Sequence, residues 1–129
     1  MKAVETRTAK ILMDEHGVLQ ILLFENVVVD YEDAVDNALV VRRLTKGNPC
    51  LKLIDIRNDV KIEAKAQQYL DSKDVQGKTL ARAILINNSV KRLTLNFFTK
   101  FNSQQVPTKF FTEKKEAMEW LREIRCCIL

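Results

Sequence analysis

Glycine and proline are scarce in this chain, with 3 Gly and 2 Pro among 129 residues. That scarcity argues against a loop-rich scaffold or a many-turned β sandwich and for long regular elements on short connections. Histidine occurs once, as His16 between Glu15 and Gly17. A Ser-His-Asp or Cys-His set would have to use it, and no motif context supports one. The cysteines number 3, and an odd count in a chain with a good core is not a disulfide framework. Cys50 reads as a small buried residue before an apolar strand. Cys126 and Cys127 are adjacent and cannot supply a usual metal-ligand spacing. There is no phosphate-cradling Gly-rich loop. No apolar window of about 18 residues occurs, so no transmembrane span is expected. Met1-Lys2-Ala3-Val4-Glu5 lacks a signal-peptide run, and the expected location is cytoplasmic.

What is present is an ordinary globular balance, 47% hydrophobic and 29% charged, of a length that suits one domain. The expected domain covers 1–125, with 126–129 as a short tail. The tail, Cys126-Cys127-Ile128-Leu129, fits the C-a-a-X prenylation pattern, but it is read as an apolar tail after a terminal helix. Lys and Arg total 21 against 17 Asp and Glu, and the net charge of +4 is uneven along the chain. Met1 to Gly77 is mildly acidic. From Lys78 to Thr112 there are only basic groups: Lys78, Arg82, Lys91, Arg92, Lys100 and Lys109. These scattered charges carry no recognition motif, so a nucleic-acid partner is not expected.

Glu5 to Met13 and Val18 to Phe24 read as a hairpin around Asp14-Glu15-His16-Gly17. Asp30 is a helix N-cap, with Asp33 in the first turn. Tyr31, Ala34, Val35, Ala38, Leu39 and Arg42 keep helical spacing up to Lys46-Gly47. Leu51 to Ile56 is a short apolar strand. Asn58 or Asp59 is expected to cap a second helix with Ile62, Ala66, Tyr69 and Leu70 on its inner face. Leu80 to Ile86 is a fourth strand, and Asn88 or Ser89 caps a third helix bearing Val90, Leu93, Phe97 and Phe101. Val106 to Phe111 is a fifth strand, placed at an edge by Pro107. Thr112 caps a fourth helix through Ala117, Met118, Trp120, Leu121 and Ile124. The order β-β-α-β-α-β-α-β-α predicts an α/β fold with an open, mostly parallel five-stranded sheet and an N-terminal hairpin.

This order, with the wording of the second half, resembles the STAS-like family of bacterial anti-sigma-factor antagonists and, more closely, its divergent SpoIIAA-like branch. The residues that carry the resemblance are Ala81-Arg82-Ala83-Ile84-Leu85-Ile86, Val90 through Phe98, Lys100-Phe101-Asn102, Pro107 through Thr112, Glu116-Ala117 and Trp120-Leu121. It implies a STAS-like fold more than an activity, since none of its motifs is a catalytic signature. Partner switches of that family are phosphorylated on a Ser that follows the third strand. Here Asp55 matches the acidic strand end. The next residues, Arg57-Asn58-Asp59-Val60-Lys61-Ile62-Glu63-Ala64, contain no Ser, Thr or Gly. The phospho-switch is therefore not expected.

Asp55, Arg57, Asn58 and Asp59, with Asn87 and Asn88 after the next strand, form a polar group at the carboxyl edge of the sheet, where open α/β sheets place ligands. They are the candidate interaction edge. The competing structural reading is helix capping by Asn58 or Asp59 plus an ion pair of Arg57. Phe97 and Phe101 share a face with Leu93 and Val90 and belong to the core. Phe98 and Phe111 are the candidate aromatic interface. The resulting expectation is a non-enzymatic regulatory module that binds a protein partner and forms a homodimer, with no cofactor and no metal. The alternative is a carrier domain for a small molecule or lipid, which would require an apolar cavity.

Overall fold

A computed structural model describes residues 2–87 and 106–128. The expected third helix, Lys91, Arg92, Lys100, Asn88 and Phe98 lie outside the described residues. Eight strands are described: β1 (Ala3–Glu5), β2 (Ala9–Met13), β3 (Val18–Leu23), β4 (Val28–Val29), β5 (Cys50–Asp55), β6 (Lys61–Ile62), β7 (Thr79–Leu85) and β8 (Thr108–Phe111). The helices are α1 (Tyr31–Thr45), α2 (Ala64–Leu70), α3 (Lys73–Gln76) and α4 (Lys114–Ile128). The main sheet runs β1-β2-β3-β5-β7-β8, and β4 pairs with β6 in a second, two-stranded sheet. The first two pairings of the main sheet are antiparallel and the remaining three parallel. The α/β class and the mostly parallel sheet are as expected; the main sheet has six strands, not five.

The sixth strand comes from the first expected one. Thr6-Arg7-Thr8 interrupts Glu5 to Met13, because the Thr6 hydroxyl accepts from the backbone N–H of Thr8 and Ala9 at 3.3 and 3.1 Å. This local turn competes with a continuous strand and folds β1 back on β2, with Ala3 opposite Leu12. Gly17 closes the β2–β3 turn at φ 78°, a left-handed angle that favours glycine. Arg125 at the far end of α4 donates to the carbonyls of His16 and Gly17, so helix and turn are tied together.

Asp30 caps α1 as expected. Its side chain accepts from Asp33 N–H, and the Asp33 side chain accepts from Asp30 N–H, completing a capping box. Arg7 donates to both Asp33 oxygens. That contact, followed by the Asp30 backbone bond, holds the Asp33 carboxyl below its ordinary range, against the opposing effect of burial. Lys46 then ends the helix in the left-handed region at φ 55°, followed by Gly47 at 73°.

The second helix begins later than Asn58 or Asp59. Arg57-Asn58-Asp59 is a turn, with Asp59 at φ 51°. Lys61–Ile62 follows as β6, parallel to β4, and Lys61 and Glu63 donate to the carbonyls of Val27 and Val29. β-Branched residues on both short strands favour this pairing. Neither Asn58 nor Asp59 caps a helix; α2 starts at Ala64 after Glu63.

Alternation along the strands divides the core. One face, with Ile11, Leu19, Leu23, Ile56, Ile84 and Ile86, is covered by α1 and α2 through Ala34, Val40 and Ala66. The other face, with Leu51, Leu53, Ala81, Ala83 and Leu85, is covered by α4 through Ala117 and Leu121. Three fully buried alanines on β7 and α4 let helix and sheet approach closely. β8 lies at the sheet edge, and Pro107, just before it, accepts from Arg82 N–H without owing a donor to the ladder. Helix α4 extends through Cys126 and Cys127 to Ile128, so residues 126–128 of the expected tail continue the helix.

Candidate functional site

Two places gather polar chemistry. The first is the expected edge at the carboxyl ends of β5 and β7. The buried Asp55 carboxylate accepts from Arg57 Nε at 3.0 Å, Arg57 Nη2 at 2.8 Å and Arg57 N–H at 3.1 Å. The Asp55 contact, opposed by burial and aided by the nearby charge of Glu113, keeps Arg57 firmly protonated. Asn87 Nδ2 donates to the Arg57 carbonyl at 2.5 Å. Asp55, Arg57 and Asn87 are therefore together, but their polar atoms are turned on one another. Asn58 and Asp59 are exposed on the adjoining turn. The ion-pair half of the structural reading is correct, and the capping half is not.

Phe111, expected at an aromatic interface, is buried beneath α4. Its ring centroid lies 5.8 Å from that of Trp120, and Lys109 Nζ sits 5.5 Å from its centre. Phe110, next to it, packs on the opposite side of the sheet. Helix α4 takes the surface that Phe111 would have needed for a partner.

The second place was not among the expected sites. A cavity of about 760 Å³ lies between the sheet and the helices α1, α2 and α3. Ile21, Leu23 and Ile54 floor it, Val41 and Leu70 face it from the helices, and Leu39, 55% exposed, belongs to its lining. Its polar end is built on the neighbouring interior strands β5 and β7. Lys52 and Arg82 are register partners in the parallel β5–β7 ladder, and both are buried, at 3% and 2% exposure. Arg82 Nη1 pairs with Asp71 Oδ1 at 2.9 Å, and Arg82 Nε donates to Thr108 Oγ1 at 2.8 Å. Gln67 Nε2 donates to the other Asp71 oxygen at 2.9 Å. Lys52 Nζ reaches Gln76 Oε1 at 3.3 Å. Burial, with Arg82 adding like charge and Cys50 opposing, lowers the Lys52 amine from 10.5 to about 8. Burial also pushes the Cys50 thiol up, which makes it a poor nucleophile. Gln67 and Thr79 belong to the lining, and their buried side-chain oxygens, Gln67 Oε1 and Thr79 Oγ1, are closed off from solvent with no hydrogen-bond partner among the described residues.

The family described as Domain of unknown function (DUF7793) matches residues 11–125. The chain belongs to the DUF7793 family. No curated protein matches its sequence. The structure is similar to that of an uncharacterized protein of the DUF3478 family from Shewanella loihica PV-4, which has a SpoIIAA-like fold. That likeness has a TM-score of 0.60 at 18% identity, over 93% of this chain and 90% of that one. A protein of unknown function from Arthrobacter sp. FB24 is 25% identical over 92% of this chain and 95% of that one, with a TM-score of 0.31. The first likeness supports the SpoIIAA-like fold that the sequence resemblance implied.

In this DUF7793 domain the sequence did carry a signal for the cavity. Cys50-Leu51-Lys52-Leu53-Ile54 and Leu80-Ala81-Arg82-Ala83-Ile84 each place one cation in the middle of an apolar interior strand. Charged residues are almost never fully buried unless paired, so two such strands side by side mark a buried polar centre. Arg82 therefore does not belong to the basic face expected from Lys78 to Thr112. Lys78 and Lys109 are exposed. No helix among the described residues is long and apolar enough to cross a membrane.

Proposed function

We propose that this domain is a non-enzymatic small-molecule-binding module. The observation that carries the reading is the cavity of about 760 Å³ with an apolar floor and a small set of buried polar groups at one end. Ligand pockets commonly occupy roughly 300–1,000 Å³ and combine apolar walls with a few placed polar groups. His16 supports the non-enzymatic part, because it stands on the exposed β2–β3 turn beside Glu15, away from the cavity. Ligand-observed NMR with a mixed panel of small carboxylates, alcohols and amines tests the reading. Binding to the native protein, lost in a folded Ala38→Phe variant that fills the α1 side of the cavity, supports it. No binding by any panel member contradicts it.

A second reading is a regulatory protein-interaction module, with homodimerisation as its simplest form. Asn58 and Asp59, exposed on a turn held by the Asp55–Arg57 pair, favour it. Light scattering of the native protein and of Asn58→Ala/Asp59→Ala tests the dimer. A monomer in both would oppose self-association, and a dimer lost in the variant would support it.

A further inference from the structure

The cavity's polar end has an unusual charge balance. Lys52 and Arg82 stand side by side across β5 and β7, and Asp71 is the acidic side chain that pairs with Arg82. Among the described residues Lys52 has one acceptor, the neutral Gln76 side chain. A buried ammonium with only a neutral acceptor is costly. The surrounding chain offers little relief. Arg42, Lys73 and Lys78 also line the cavity, against Asp74 as the one acid among its described lining residues.

Resting on the reading of the cavity as a ligand site, we infer that its ligand is a small carboxylate with an apolar body, its head group on Lys52 and its chain along Ile21, Leu23 and Ile54. A carboxylate supplies Lys52 with a negatively charged acceptor in place of the neutral Gln76 side chain, through a charge-assisted hydrogen bond. It favours the charged amine that burial disfavours. The apolar floor adds binding in proportion to the area it covers. The single ammonium of Lys52 suits the single charge of a carboxylate head group.

Calorimetric titration of the full chain with octanoate, 1-octanol and octylamine tests the inference. The expected result is octanoate binding roughly tenfold or more tighter than octanol, with octylamine weakest, as a charge-assisted contact implies. In Lys52→Met and Lys52→Gln, each checked for folding by circular dichroism, that preference should fall by roughly tenfold while octanol binding stays within a factor of about two. Equal binding of octanoate and octanol to the native protein would overturn the inference, and so would a preference that survives in both variants. Either result leaves the cavity as a binding site for another chemical class. Failure of all three probes and of the wider panel would instead overturn the binding-site reading itself.

Discussion

Lys52 is the residue on which the energetics of this fold turn. Its amine, lowered from 10.5 to about 8, is charged in the unfolded chain and largely neutral in the native one between those two values. In that window the unfolded state binds more protons, so native stability rises with pH there. Below pH 8 the amine is charged in both states and the native state bears the burial cost, about 3 kcal/mol as an upper figure. Lys52→Met removes the cost and the Gln76 bond together. It should therefore stabilise the protein at pH 7 by about 1–2 kcal/mol in urea titrations. The gap to the native protein should narrow as pH rises from 8 toward 10. A variant less stable than the native protein at pH 7 would show that Lys52 is well compensated in place. Asp71 has the opposite role. It is the carboxylate paired with the buried Arg82, and Asp71→Ala should cost about 3 kcal/mol, because breaking such a pair strands a cation. Urea midpoints of native and variant proteins give the difference directly.

At the scale of elements, legibility followed the strength of local chemistry. Asp30, Asp33, Lys46 and Gly47 announced both ends of α1, because caps are short-range and each uses its own side chain or backbone angle. Pro107 announced the edge position of β8 for the same reason. The β4–β6 pair was not legible. Two-residue strands have no period to detect, and Asp59 resembles a helix cap until its left-handed angle is seen. Thr6 hid the β1–β2 turn in the same way, since its hydroxyl does work that a glycine usually announces. The paired cations Lys52 and Arg82 were visible as residues, but their meaning depends on register, a long-range property that no single strand carries. Helix α4 offers a test at this scale. Leu121 is fully buried between it and the sheet, so Leu121→Ala should cost about 2–5 kcal/mol. Near-native stability in that variant would mean that α4 docks only loosely.

For the whole molecule, the sheet separates two tasks. On one side α4 closes on small residues of β7. On the other, α1, α2 and α3 stand over Lys52 and Arg82 and leave a cavity of about 760 Å³. The carboxyl edge, where ligands are usually sought in open α/β sheets, is instead occupied by the Asp55–Arg57 pair and its bond from Asn87. The proposed binding thus lies on the helix-covered face and not at the edge. The most direct measurement is an amide-resolved NMR titration of the native protein with octanoate. The account predicts saturable shifts at Leu23, Lys52, Ile54 and Gln76, with Arg57, Asn58 and Asp59 unmoved. Shifts confined to Arg57 through Asp59, or no saturable shift at the cavity, would contradict it.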